Sequence, residues 1–107
     1  MKVVVTPEAQ AELSEIWIWN ANDRGVRHAD AYLAFLDKHI GALSETYAMG
    51  RIVEIRSDLR YIQMRWNARG HGHIAVYTVG INAVTVIHVF HTSQNWQAKL
   101  REEPLSA

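Results

Sequence analysis

An α+β fold is what this chain of 107 residues predicts: an N-terminal strand, an antiparallel helical hairpin, then a three-stranded antiparallel meander. The helices are expected on one face of a sheet of about four strands. Three observations carry that expectation. A valine run is followed by the helix-start pair Thr6-Pro7, two stretches then repeat apolar residues every 3.6 positions, and beyond Gly50 the period changes to about two.

Lys2-Val3-Val4-Val5 reads as the first strand, and its apolar run is too short for the core of a secretory signal. Thr6 can accept from the first orphan amides of a helix, and Pro7 takes the first helical position, where a missing N–H does no harm. Ala9, Leu13, Ile16, Trp17 and Asn20 then share one helical face, with Glu8, Glu12 and Glu15 mostly opposite, which predicts an amphipathic helix over about residues 7–21. The turn formers from Asn20 to Gly25 separate it from a second stripe: Ala29, Leu33 with Tyr32, Leu36, Ile40, Leu43 and Tyr47. A second helix over about residues 26–47 follows. Gly41 inside it costs about 1 kcal/mol against alanine, most easily offset by close approach of the first helix, and Gly50 is expected as a left-handed cap.

Strands over residues 59–66, 73–79 and 83–91 come next, separated by Asn67-Ala68-Arg69-Gly70 and Gly80-Ile81-Asn82. Alternation assigns Ile62, Met64, Ile74 and Val76 to the core, leaving Tyr61, Gln63, Arg65, His73, Ala75 and Tyr77 outward. The last strand is apolar on both faces, with Ile87 and Val89 expected toward the helices and His88 and Phe90 away. A short helix over residues 94–100, capped by Ser93, closes a single domain of residues 1–100. Residues 101–107 are left as a tail.

Composition narrows the function. Hydrophobic residues at 49% and charged residues at 21% suit a globular chain, and no apolar run nears the roughly 18 residues of a membrane span, so no membrane partner is expected. Eleven basic residues balance eleven acidic ones, which argues against whole-molecule attraction to nucleic acid. The absence of cysteine fits a reducing cytoplasm and excludes thiolate metal sites and cysteine nucleophiles. His71, His73, His88 and His91 lie in or beside the meander, but no carboxylate joins them at a ligand spacing, so neither metal nor cofactor is expected. His28 and His39 are read as solvent-facing on the second helix.

Three stretches carry a resemblance. They are Val5-Thr6-Pro7-Glu8-Ala9 with Leu13 and Ile16-Trp17; Gly50 followed by Leu59-Arg60 and Met64-Arg65; and Gly72-His73-Ile74-Ala75-Val76-Tyr77 leading to Val84-Thr85-Val86-Ile87-His88-Val89-Phe90-His91. The last is the most specific, a histidine ending a final aliphatic strand after an aliphatic-to-tyrosine strand. In order and spacing the chain resembles the ParE/RelE toxin superfamily of type II toxin–antitoxin modules, also called plasmid stabilisation proteins. That resemblance implies a cognate antitoxin partner, wrapped on this domain as a strand or helix, and it splits over the target. RelE-like members cut mRNA on the ribosome, which needs a base, an acid and cations for the developing phosphate charge. ParE-like members inhibit DNA gyrase and lack the nuclease residues.

Matched by position, the outward lysines of the nucleases become Tyr61 and Gln63, the arginine opening the next strand becomes His73, and Thr92-Ser93-Gln94-Asn95-Trp96 holds no cation. The ParE-like alternative is therefore favoured: inhibition of gyrase by binding, with no catalytic residue. The competing readings are a ribosome-dependent mRNA endoribonuclease using Tyr61, Arg65, His73 and His91, and a non-toxic interaction protein of the same fold. Candidates for target binding are Arg65, Arg69, His73, His91, Asn95 and Trp96, with Arg60 extending a small cationic patch. Trp96 is also expected to act as a lid on Phe90 and Val86. Ile18 and Trp19 lie off the core stripe and are assigned to the antitoxin.

Overall fold

The computed structural model describes residues 1–67 and 72–103. In chain order the elements are β1 (Lys2–Val5), α1 (Pro7–Arg24), α2 (Val26–Thr46), a 3₁₀ turn (Tyr47–Met49), β2 (Arg51–Val53), β3 (Arg56–Met64), β4 (His73–Val79), β5 (Ala83–His91) and α3 (Trp96–Glu102). The fold is α+β, with one five-stranded sheet in the order β1-β5-β4-β3-β2. β1 runs parallel to β5 and the other pairs are antiparallel, so the sheet is mixed. The fifth strand is β2, three residues whose pairing with β3 is broken by a register shift between Ile52 and Val53. So short and irregular a strand leaves no alternation to read.

Local chemistry sets the helical hairpin. Thr6 Oγ1 accepts the Ala9 N–H at 3.2 Å and Pro7 opens α1, as the sequence predicts. The helix continues past Ala21 to Arg24 and stops at Gly25, whose φ of 96° no other residue here adopts comfortably. The Gly25 N–H donates to the Ala21 carbonyl at 2.9 Å and its own carbonyl accepts from Ala29 at 3.1 Å, so one residue ends α1 and starts α2. Trp17 Nε1 ties the pair by donating to Asp30 Oδ1 at 2.8 Å.

Two further glycines, Gly50 and Gly41, differ from expectation. Gly50 has an extended φ of −67°, so it is no left-handed cap. It is needed for space, because a Cβ there would overlap the Tyr77 hydroxyl and lie 2.8 Å from Cζ. Gly41 is exposed and has nothing within 4 Å of where a Cβ would sit, so α1 makes no close approach there. Gly41→Ala is therefore expected to stabilise the fold by roughly 0.5–1 kcal/mol, seen as a higher chemical-denaturation midpoint at an unchanged m-value.

Two apolar layers sandwich the sheet. On one face Ala9 and Leu13 of α1 and Tyr32, Leu36, Ile40 and Leu43 of α2 pack on Met64, Ala75, Tyr77, Val84, Val86 and Val89. On the other, Trp96 and Leu100 of α3 pack on Val53, Leu59, Ile74, Val76 and Phe90. The hairpin thus holds one face, and α3 adds a cover on the opposite one. Ile74 and Val76 face α3, and Ala75 and Tyr77 face the hairpin, the reverse of the expected assignment. β4 is buried on both faces from His73 to Tyr77, so hydrophobicity alone cannot orient it.

In β5 the pairing steps from Val76↔His88 to Tyr77↔Val86, which makes Ile87 an extra residue. Past that bulge the faces exchange. Val89 and Phe90 lie as expected, whereas Ile87 joins the α3 layer and Val86 the hairpin layer.

Candidate functional site

The bulge leaves the outer edge of β5 in two halves. β1 pairs with β5 from Ala83 to Val86 only, and beyond that point the edge borders a groove of about 640 Å³ between α1 and the segment after β5. Glu12, Glu15, Ile16, Trp19 and Asn20 line one wall. His73, Val89, His91, Ser93, Gln94 and Lys99 line the rest. Trp19 is 69% exposed and Ile18, outside the groove lining, is 54% exposed, so the structure leaves both uncovered by the core.

At the inner end of the groove His73 is buried, with Nδ1 2.5 Å from the Tyr32 hydroxyl and its ring edge-on to His91 at 5.1 Å between centroids. Burial, then the neighbouring His91, lowers His73 from 6.5 to about 4, and burial raises the Tyr32 phenol to about 12. Both are neutral at pH 7, so the phenol donates to Nδ1. Outside them an aromatic stack runs along α2: Trp66 lies 5.4 Å from Tyr32, 5.6 Å from Phe35 and 5.6 Å from His28, and Phe35 meets His39 at 4.7 Å. His28 is accordingly half-buried, whereas His39 is exposed as expected.

His88 faces carboxylates from two elements, a constellation absent from the sequence reading. Its Nδ1 lies 3.1 Å from Glu12 Oε1, its Nε2 meets Glu103 just beyond α3, and its ring stacks on Phe90 at 4.7 Å. The hydrogen bond with Glu12 is the main cause that raises His88 above the usual histidine value. Glu12 was read as solvent-facing from its helical phase, and nothing local marks it as a partner for a residue 76 positions away.

The remaining sequence candidates scatter. Arg69 and His71 lie outside the described residues. Arg60 is committed to the Ala48 and Gly50 carbonyls at 3.3 and 2.8 Å, which removes it from any shared patch with the exposed Arg65. Trp96 is 8% exposed, 4.8 Å from Tyr61 and 6.4 Å from Phe90 between ring centroids. It covers Phe90 as expected but not Val86, and it offers no open stacking platform. Asn95 is exposed beside it, ahead of α3, and Ser93 bonds His91 instead of capping that helix.

Tyr61 and His73, matched above to nuclease positions on a single outward face, lie on opposite faces of the sheet. Among the described residues no three His, Asp or Glu side chains are grouped to hold a metal ion, and no helix is long and apolar enough to cross a membrane.

Comparison with known proteins is consistent with this architecture. A family model described as "ParE toxin of type II toxin-antitoxin system, parDE" matches residues 3–96. Among solved structures, a chain of the "Chromosomal ParDE TA system from P. aeruginosa" superposes with a TM-score of 0.73 at 14% sequence identity, covering 85% of this chain and 95% of that one. At that identity the likeness shows the fold alone. No curated protein matches the chain.

Proposed function

The chain belongs to the ParE toxin family of type II toxin–antitoxin systems, and from that premise we propose that it is a toxin acting in the cytoplasm by binding DNA gyrase, held inactive by a cognate antitoxin. The observation that carries the reading is the split of the nuclease positions. RNA cleavage without a metal needs a base, an acid and a cation around one phosphate. Here Tyr61 packs with Trp96 under α3, while His73 is buried on the hairpin face and uncharged at pH 7. Arg65, His91 and Asn95 remain exposed or half-exposed and are the contacts proposed for the target.

The antitoxin is placed on the α1 side, over Ile18 and Trp19. A large aromatic residue on an exposed helix face adds little to the fold and much to a partner. Trp19→Ser is expected to weaken the antitoxin complex by at least tenfold in Kd while changing unfolding free energy by less than about 0.5 kcal/mol. Titration calorimetry beside chemical denaturation checks both numbers, and equal losses would place Trp19 in the core.

The functional test is induction of this chain alone in a bacterial host. Growth arrest with a DNA-damage response, relieved by co-expression of the antitoxin, supports the proposal. Arrest with cleavage of ribosome-bound mRNA selects the nuclease, and normal growth selects a non-toxic interaction protein.

A further inference from the structure

His88 bonds both of the layers that sandwich the sheet. Beyond Val86, where β1 no longer covers β5, Glu12 of α1 lies 3.1 Å from Nδ1, and Nε2 meets Glu103, one residue past α3. β4 presents the apolar Val76 opposite His88, and the ring stacks on Phe90, so among the described residues the charged groups that face it are those two carboxylates. From β3, Arg56 lies within the field of Glu103, but its guanidinium hydrogen bonds go to Asp58 at 3.2 and 3.0 Å.

Both ring nitrogens therefore face acceptors. An imidazole donates from both only when it carries two protons, and the neutral ring turns a lone pair toward one carboxylate. The two carboxylates are not held equally. Glu12 also accepts the Val89 N–H at 3.0 Å, which fixes it whatever the charge on the ring. The Glu103 side chain is 38% exposed and can return to water. When His88 loses a proton, the remaining N–H stays on Nδ1 toward Glu12, and Glu103 is given up. Trp96 and Leu100 are buried against the sheet, whereas Arg101 and Glu102 are exposed, so the part set loose begins beyond Leu100.

We propose that His88 is a protonation-operated latch: charged, it clamps the chain beyond Leu100 through Glu103, and neutral, it lets that segment swing away while the rest of α3 stays docked. The Glu12 hydrogen bond and the two negative charges hold the ring above the usual histidine value, so the latch opens as pH rises above 6.5 and stays closed below it. The device is built into the fold and stands apart from the toxin reading.

The test is tryptic cleavage of the full chain after Arg101 between pH 6 and 9, each rate divided by that of a synthetic peptide of residues 96–107 at the same pH. Cleavage of a folded chain follows the population of the opened segment. The normalised rate is expected to rise at least tenfold, the scale of one charged hydrogen bond, with the same midpoint as the His88 Cε1 proton resonance. Cleavage after Lys38, inside α2, is expected to stay slow at every pH. Glu103→Gln, uncharged throughout and compared with its own peptide, is expected to abolish the rise and to lower the pH at which His88 titrates. Arg56→Gln is expected to keep both the rise and its midpoint. A flat normalised rate in the wild-type chain overturns the latch, as does a rise that departs from the His88 titration or persists in Glu103→Gln. A parallel rise after Lys38 overturns it too, by showing global opening, and loss of the rise in Arg56→Gln takes the role from His88.

Discussion

Gly50→Ala is expected to destabilise the fold by about 3 kcal/mol, the upper range for forcing one extra methyl into a packed core. The new Cβ would overlap the Tyr77 hydroxyl, and Tyr77 is fully buried with that hydroxyl donating to the Tyr47 carbonyl at 2.8 Å. Neither group has room to retreat, since the ring is held between α2 and the sheet. Tyr77→Phe alone should cost only about 1 kcal/mol, for the lost hydrogen bond. In the Gly50→Ala, Tyr77→Phe pair the worst overlap is gone, so the double variant should lose clearly less than the sum of the two. Additive losses in a denaturation cycle would show that the two residues do not meet.

Stability should peak near pH 6.5 and fall on both sides, with one histidine shaping each limb. On the acid side, the unfolded chain binds a proton at His73 below about 6.5, but the native chain does so only near 4. Each step down through that window favours unfolding, and the total reaches on the order of 3 kcal/mol. His73→Gln removes the titrating ring, so the stability difference between wild type and variant should shrink by that order between pH 6.5 and 4. On the alkaline side His88 has the opposite sign. The stabilisation is complete below the unfolded histidine value of about 6.5 and is lost as pH rises through the higher native value. His88→Gln should flatten this limb. Thermal midpoints recorded from pH 4 to 8.5 check both, and an acid limb identical in wild type and His73→Gln would refute the burial of a neutral imidazole.

What the sequence disclosed was governed by the range of each interaction. Thr6, Pro7 and the two 3.6-residue stripes act within one or two turns, so the hairpin and its buried faces were legible. Ile62 and Met64 alternate on a strand with one exposed edge of the pattern, and their side was read correctly. β4 offered no such contrast, because Ile74, Ala75, Val76 and Tyr77 are all buried and only the long-range bond from Tyr77 to Tyr47 picks the face. Ile87 was misplaced because one extra residue puts the two halves of β5 in opposite phase, so an alternation that fits Val89 and Phe90 inverts Val86 and Ile87, and no glycine or proline marks the bulge.

The candidate site was legible only in pieces for the same reason. The exposure of Trp19 and the lid role of Trp96 over Phe90 follow from helical phase and local sequence. The pairing of His73 with Tyr32, and of His88 and the Val89 amide with Glu12, spans 41 to 77 residues and needs the finished sheet.

The central claim, inhibition of gyrase by binding, is tested most directly by ATP-dependent supercoiling of relaxed plasmid by purified gyrase with the full chain added. The account predicts that supercoiling is inhibited in proportion to the toxin added and restored by one equivalent of antitoxin. Full supercoiling at saturating toxin would contradict it, the more so if the same preparation cuts mRNA on programmed ribosomes and a His73→Ala, His91→Ala variant does not.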